Sequence, residues 1–356
     1  MYAAIKIQFI KQCRFLFVNP DKITKPGTII NLEILKVSPK FALLLKPFLL
    51  KIFNSIHDFN SAKKTIVTIG TFDGVHIGHK KIIERLTQST NNGQFESLIL
   101  TFFPHPRMVL QEKSDISLLN TLDEKKELLE KTGLDNLIIH PFDAAFSRLS
   151  AEAFVKTILV DCFHVEKIII GHDHRFGKDR TADINDLVLY GKKYGFKVEQ
   201  IAAQEINAVS VSSTKIRKAL SEGDMALANS YLGYDYFLTG IIVKGKQLGR
   251  TIGFPTANLK IAEDYKLIPK NGVYVVKSIL DGNTVYGMMN IGTNPTVDGK
   301  TLSIEVNYID FEGDLYNRRI SVSMMQRIRD EQKFAAVDAL KDQLAKDKIT
   351  VQNFIR

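Results

Sequence analysis

Ile66-Val67-Thr68-Ile69-Gly70-Thr71-Phe72-Asp73-Gly74-Val75-His76-Ile77-Gly78-His79 decides how the N-terminal half of this chain folds. The first four residues are β-branched and read as a short buried strand. A turn flanked by Gly70 and Gly74 follows, so the backbone can approach a ligand closely there. The run Ile77–Thr90 then reads as a helix. His76 and His79 are three apart and share one face of its first turn. Backbone N–H groups and the positive end of the helix dipole point the same way. The result is a phosphate cradle with two imidazoles aimed into it, walled by Gly70, Thr71, Phe72, Asp73 and Gly74. A bare His-x-Gly-His reads equally as two structural histidines. The order strand, glycine turn, motif, helix favours the phosphate site.

The same alternation continues. Ser97–Phe103, Asn136–His140 and Lys167–Gly171 are further strand-length apolar runs. Helical stretches lie at Thr121–Lys131, opened by a Thr121-x-x-Glu124 capping box, at Leu149–Phe163 and at Asp183–Tyr194. Strands alternating with helices predict a parallel sheet covered on both faces. Ligands in such sheets bind beyond the C-terminal strand ends. After Ser221 the pattern changes. Phe237–Val243, Gly272–Leu280, Thr284–Ile291, Leu302–Asp310 and Arg319–Ile328 are β-rich, with turns at Asp281-Gly282-Asn283, Asn294-Pro295 and Glu312-Gly313. Closely spaced strands predict a small antiparallel barrel. A helix from Glu331 to about Lys346 is expected to close the chain.

The 356 residues suit two domains. Of the net charge of +9, residues 1–60 carry +6 (nine Lys/Arg against three Asp/Glu), leaving +3 for the other 296. A broad basic face for nucleic acid is therefore not indicated in the body of the chain. Cys13 and Cys162 are isolated, so neither a disulfide framework nor a zinc motif is expected, which suits the cytoplasm. Residues 1–50 are basic and apolar without a clean period. They hold no run near the ~20 residues of a membrane span. They read as a poorly specified extension, either a real tail or an over-called translation start.

Three further segments follow strands of the first half. Val211-Ser212-Ser213-Thr214-Lys215-Ile216-Arg217 offers a capped helix, with Ser213, Thr214 and Arg217 placed to meet phosphate; a capped surface helix is the plain alternative. The histidine motif is shared by class I aminoacyl-tRNA synthetases and small nucleotidyltransferases. The Lys-Met-Ser-Lys-Ser type loop of the synthetases is absent, as is an anticodon-binding domain. Gly171-His172-Asp173-His174-Arg175-Phe176-Gly177 reads as a nucleotide-contacting loop through Asp173. His172 and His174 lack an obvious third metal ligand. Pro104 and His105, in Phe103-Pro104-His105-Pro106, can hold one edge of a flat aromatic ligand.

The β-rich half has no P-loop. It offers Gly245-Lys246-Gln247-Leu248-Gly249-Arg250 and then Thr251-Ile252-Gly253-Phe254-Pro255-Thr256-Ala257-Asn258. Glycines with Lys246 and Arg250 suit a loop around polyphosphate. Thr256 and Asn258 alternate with Ala257, so in an extended segment both point to one side, with hard oxygen donors suited to Mg²⁺.

From about residue 51 onward the chain resembles the bacterial bifunctional riboflavin kinase/FAD synthetases. The resemblance rests on Gly70–His79, on the Gly171–Gly177 loop, on Ser212–Arg217 and on Gly249–Asn258, followed in order by Gly272-Val273-Tyr274, Asn290–Thr296 and Ser303–Val306. It implies a Rossmann-like nucleotidyltransferase domain over residues 51–221 and a riboflavin kinase barrel with a terminal helix over 222–356. It also implies two reactions: ATP phosphorylates riboflavin to FMN, and a second ATP adenylylates FMN to FAD. Glu305 inherits the role of general base, and Arg329 in the Arg327–Phe334 segment that of a flavin contact. Asn317, Val297 and Asn307 depart from the residues common in the family; Asn at 317 still tolerates the positive φ a turn needs there. Riboflavin, FMN, ATP and Mg²⁺ are the implied ligands, with no nucleic acid or membrane partner. Two other readings are a single-activity adenylyltransferase fused to a flavin-binding barrel and a catalytically silent flavin-binding regulator.

Overall fold

The structure is a computed structural model. It describes residues 50–111, 116–171, 175–201, 211–245, 248–296 and 299–356. The extension expected before residue 50 therefore lies almost wholly outside the described residues.

Six strands form one parallel sheet: β1 (Lys51–Phe53), β2 (Thr65–Ile69), β3 (Glu96–Phe102), β4 (Asn136–His140), β5 (Val165–Gly171) and β6 (Lys197–Ile201). Their order is β1-β4-β3-β2-β5-β6, and every pairing is parallel. Side chains alternate across it, as strand geometry requires. Ile66, Ile99, Leu137 and Ile169 pack on one face with Ile83 and Leu86. Val67, Leu98, Ile138 and Ile168 pack on the other with Phe154, Leu159 and Leu187. The chain runs from β2 toward β3 on one side, and β5 returns to the other. Strand order reverses between β2 and β5, the point beyond whose carboxyl strand ends such sheets bind ligands. The Gly70–His79 turn follows β2 at that point.

The helices α1 (Ile77–Gln88), α2 (Leu122–Glu130) and α3 (Ile184–Tyr194) confirm the period-3.6 reading. The Thr121/Glu124 capping box is formed on both sides. The expected helix over Leu149–Phe163 is a short α-helix, Ala151–Phe154, that widens into a π-helix, Val155–Cys162.

After α4 (Ser213–Glu222) and α5 (Met225–Leu232) comes a closed antiparallel barrel, ordered β10-β11-β8-β7-β12-β9. Its strands are β7 (Phe237–Val243), β8 (Ala257–Lys260), β9 (Gly272–Leu280), β10 (Asn283–Thr296), β11 (Gly299–Tyr308) and β12 (Arg319–Arg329). Closure removes exposed sheet edges. Ile216, Leu220, Ala228 and Leu232 of the two helices share one core with Tyr236, Leu238, Tyr274 and Val322 of the barrel. Asp281 (φ 50°) and Gly282 (φ 84°) make the tight β9–β10 turn, and Asn317 takes φ 59°.

Two expectations need correction. Asn294 and Pro295 do not make a turn: β10 runs through both, paired with Thr301 and Lys300 of β11. The closing helix, α6, spans Val337–Phe354 rather than Glu331–Lys346. Good helix formers at Glu331–Lys333 misplace its start, because local propensity there yields to tertiary context.

Candidate active sites

The first site is built on the end of β2. Gly74 has φ 87°, and a Cβ there would stand 2.6 Å from Leu119 Cδ1, so only glycine lets the turn close. His76 is the N-cap of α1: its Nδ1 accepts the His79 backbone N–H at 3.3 Å. Neutral His76 must therefore carry its proton on Nε2, which leaves a donor for a ligand. The two imidazoles stack, with centroids 3.7 Å apart and planes 16° from parallel. Burial lowers the pKa of His76 to about 4. Burial, with His76 and Lys125 nearby, lowers that of His79 well below the usual value. Both rings are neutral at pH 7. His79 Nδ1 is enclosed and has no partner among the described residues.

The rest of the turn is held from behind. Asp73 is buried; its Oδ1 accepts the Leu119 N–H at 2.9 Å, and its Oδ2 is ion-paired with Arg217. Its carbonyl accepts from the Ser213 hydroxyl at 2.9 Å. Arg217 Nε donates to the Ser117 carbonyl at 2.8 Å. Ser213, Asp73 and Arg217 thus lock the start of α4 onto the glycine turn. The Thr71 carbonyl accepts from Thr101 Oγ1 at 3.1 Å and from Lys125 Nζ at 2.8 Å. Phe72 is buried, its ring 4.9 Å from that of His79. His105 caps a short turn by accepting the Arg107 N–H at 3.2 Å. Burial, with Lys125, Arg217 and Arg107 nearby, lowers its pKa to about 4.

The second site lies on the barrel. Glu305 on β11 stands opposite Asn258 on β8 and Asn290 on β10. Its neighbours Ile304 and Val306 are buried on the other strand face. Both carboxylate oxygens accept hydroxyl protons: Oε2 from Thr256 at 3.0 Å and Oε1 from Ser303 at 2.9 Å. Asn307 Nδ2 donates to the Pro255 carbonyl at 2.7 Å and so fixes the residue before Thr256. A Cβ on Gly245 would fall 2.6 Å from Asn258 Oδ1, so the glycine loop approaches the Asn258 amide as only glycine can. Thr256 also borders a cavity of about 520 Å³, with Arg250, Tyr308, Phe311 and Tyr316 among its walls. That volume suits a small-molecule ligand.

Each half matches a known family over the stretch that carries its site. The FAD synthetase family profile covers residues 58–215, and the riboflavin kinase profile residues 232–355. A bifunctional riboflavin kinase/FMN adenylyltransferase of Listeria monocytogenes is 40% identical over 291 residues, 81% of this chain and 92% of that one. Its counterpart in Escherichia coli K12 is 36% identical over 308 residues, 86% of this chain and 98% of that one. The chain belongs to the bifunctional riboflavin kinase/FMN adenylyltransferase family. A solved structure described as a macrolide-efflux protein of Streptococcus pneumoniae shares the architecture of this chain, with TM-score 0.78 and 30% identity over 85% of this chain and 99% of that one.

The structure gathers His76, His79, Asp73, Ser213 and Arg217 around one turn, and Thr256, Asn258 and Glu305 around another, while His105 is near enough to Lys125 and Arg217 to feel their charge. Thr214 is exposed at the start of α4, and Pro104 is exposed beside His105. Asp173, Lys246 and Val297 lie outside the described residues. Arg329 is held by protein partners: its Nε and Nη2 clasp Asp347 of α6 at 2.7–3.1 Å, and its Nη1 donates to the Asp330 carbonyl at 3.0 Å. Its fork ties the last strand to the last helix. Phe72 and the Asp73 carboxylate likewise face inward and shape the turn. Sequence reasoning missed Lys125 and Ser303. Ser303 sits two residues from Glu305, hence on its strand face, and that spacing was the available signal.

The three depressed histidines make the ligand-free enzyme acid-sensitive. The unfolded chain binds protons near pH 6.5, whereas folded His76 and His105 do so only near 4, and burial holds His79 well below its usual range too. Stability is therefore fully present above about pH 6.5 and falls as pH drops toward 4. Urea midpoints measured across that window should decline, and less steeply in His105→Ala. Equal slopes in the two proteins would remove His105 from this account.

Proposed function

We infer that this enzyme makes FAD from riboflavin in two ATP-consuming steps. The observation that carries the reading is that both family profiles fall on one chain, each over the half that holds its own site. In the barrel, Glu305 takes the proton of the ribityl 5′-hydroxyl as that oxygen attacks the γ-phosphorus of ATP; FMN forms and ADP leaves. Thr256 and Ser303 keep the carboxylate aimed by donating to both of its oxygens. The loop from Gly245 to Arg250, including Lys246 and Gly249, is assigned to the triphosphate.

Thr256 and Asn258 fit Mg²⁺ as oxygen donors: the Thr256 hydroxyl gives its proton to Glu305 and keeps lone pairs for a cation. Bound there with ATP, the ion would draw charge from the polyphosphate.

In the sheet crevice an FMN phosphate oxygen attacks the α-phosphorus of a second ATP, and pyrophosphate leaves. No covalent enzyme intermediate is needed. His76 donates from Nε2 to oxygens that gain charge in the transition state, as a neutral ring already oriented by its bond to the helix. His79 supports it by stacking. We assign Arg217 and Asp73 to positioning the turn, His105 and Pro104 to the flavin edge. No described helix is long and apolar enough to cross a membrane. Use of ATP and two isolated cysteines suit the cytoplasm.

The test is product identification. Incubated with riboflavin, ATP and Mg²⁺, the enzyme should yield FMN first and FAD second by HPLC, with ADP and pyrophosphate released in equal amounts once FMN is consumed. Accumulation of FMN alone, or conversion of supplied FMN but never of riboflavin, would reduce it to a single activity.

A further inference from the structure

Lys125, in the first turn of α2, is 4% exposed. A lysine so buried is uncommon unless paired. Among the described residues no carboxylate lies within ion-pairing distance of its ammonium. The acid that acts on it is Asp73, which Arg217 already pairs. Its one hydrogen bond among these residues goes to the Thr71 carbonyl, at the floor of the glycine turn. An ammonium has three donors, so two remain. The rings near enough to feel its charge are those of His79 and His105. Both are neutral, so with Asp73 ionised beside Arg217 the formal charges of Asp73, Arg217 and Lys125 sum to one positive, and Lys125 itself is shielded from water. An uncompensated buried charge is costly. The orphaned Nδ1 of His79 beside it is a second polar group left without a partner. Both deficits lie near the end of β2; an anion bound in the turn would compensate the charge and, in the tautomer with the ring proton on Nδ1, would accept from His79.

We propose that Lys125 supplies the fixed positive charge that compensates a substrate phosphate in the adenylyl-transfer site. The proposal rests on the two-step reading above. The phosphate belongs to ATP or to FMN, and the chemistry is the same. The charge lies behind the turn and acts on oxygens presented to His76 and His79. It complements donors that, being neutral, supply hydrogen bonds and no net charge.

Lys125→Gln keeps a donor for the Thr71 carbonyl and removes the charge. Lys125→Arg keeps the charge. FAD formation from FMN should fall about a hundredfold in kcat/KM in the Gln variant, the scale of losing one preorganised electrostatic contact. The Arg variant should stay within about tenfold of the wild type. Equilibrium titrations with ATP and with FMN show whose phosphate is held, by which affinity weakens. FMN formation from riboflavin, measured on the same preparations, should be unchanged and reports that the chain is folded.

A pH profile separates charge from packing. The groups facing Lys125 are Asp73, with Arg217 on the same carboxylate, and His79 and His105. Burial lowers the pKa of Lys125 from the usual lysine value, while Asp73 opposes the shift. FAD formation in the wild type should therefore fall on the alkaline side, and Lys125→Arg should lose that limb. Wild-type FAD formation in Lys125→Gln overturns the proposal, as does an Arg variant as impaired as the Gln variant. A wild type that makes no FAD at all sinks the two-step reading instead.

Discussion

Glu305→Gln should lower FMN formation from riboflavin about a thousandfold, the middle of the range for removing a general base. The substitution is close to isosteric. Its remaining carbonyl oxygen still accepts one of the two hydroxyls that hold Glu305, from Thr256 or Ser303. The other hydroxyl can rotate to accept from the new amide, because a hydroxyl both donates and accepts. Folding and ATP binding should therefore survive while the proton acceptor is lost. Conversion of supplied FMN to FAD runs on the sheet and should proceed at the wild-type rate. A Glu305→Gln enzyme that makes FMN normally would take this residue out of the chemistry.

Lys266→Met should destabilise the whole protein by about 3–5 kcal/mol. Lys266 and Glu124 form an ion pair at 2.6 Å with both side chains fully enclosed. The ammonium also donates to the carbonyls of Leu119 and Phe237, at 2.8 and 3.0 Å. Glu124 accepts the Thr239 N–H of β7 at 3.0 Å and, as the capping box, the Thr121 N–H at 2.9 Å. One pair therefore ties the first turn of α2 to the barrel. Removing the lysine leaves a buried carboxylate without its counter-charge. At roughly 2–4 °C per kcal/mol for a chain of this order, the melting temperature should drop by about 10 °C. The double variant Glu124→Gln/Lys266→Met should recover only part of this, because a glutamine amide cannot match all the contacts of the carboxylate. Lys81→Met is the control: it breaks a half-exposed pair with Glu84 and should change little. A Lys266→Met melting temperature equal to that of the control would contradict this account of the interface.

Where short-range rules govern, the fold was legible. β2 and α1 emerged from β-branched runs and apolar periodicity around a glycine turn. The capping box of α2, the Asp281-Gly282 turn and the positive φ at Asn317 each follow from one or two residues. The short strands β1, β6 and β8 were not legible. They carry few apolar residues of their own and are strands because neighbours pair with them. The motifs of the two candidate sites were legible because residues that must meet one ligand keep a fixed spacing. Buried charges were not. Glu124 and Lys125 look like the solvated face of an ordinary helix, yet both are buried. A signal was present: Lys125 lies three residues after Leu122 and four before Leu129, on the apolar stripe. The pairing of Arg329 was not legible for a related reason. Its partner Asp347 stands 18 residues away on α6, whose start was itself misplaced.

Two independent sites on one chain are the central claim, and mixing two crippled enzymes tests it most directly. Glu305→Gln alone should leave riboflavin unconverted, and His76→Ala alone should stop at FMN. Combined in one tube with riboflavin, ATP and Mg²⁺, they should produce FAD, because FMN released from one molecule can enter the other. A mixture that still stops at riboflavin or FMN, because one of the single substitutions has abolished both reactions, would mean that the two reactions do not belong to separate pockets.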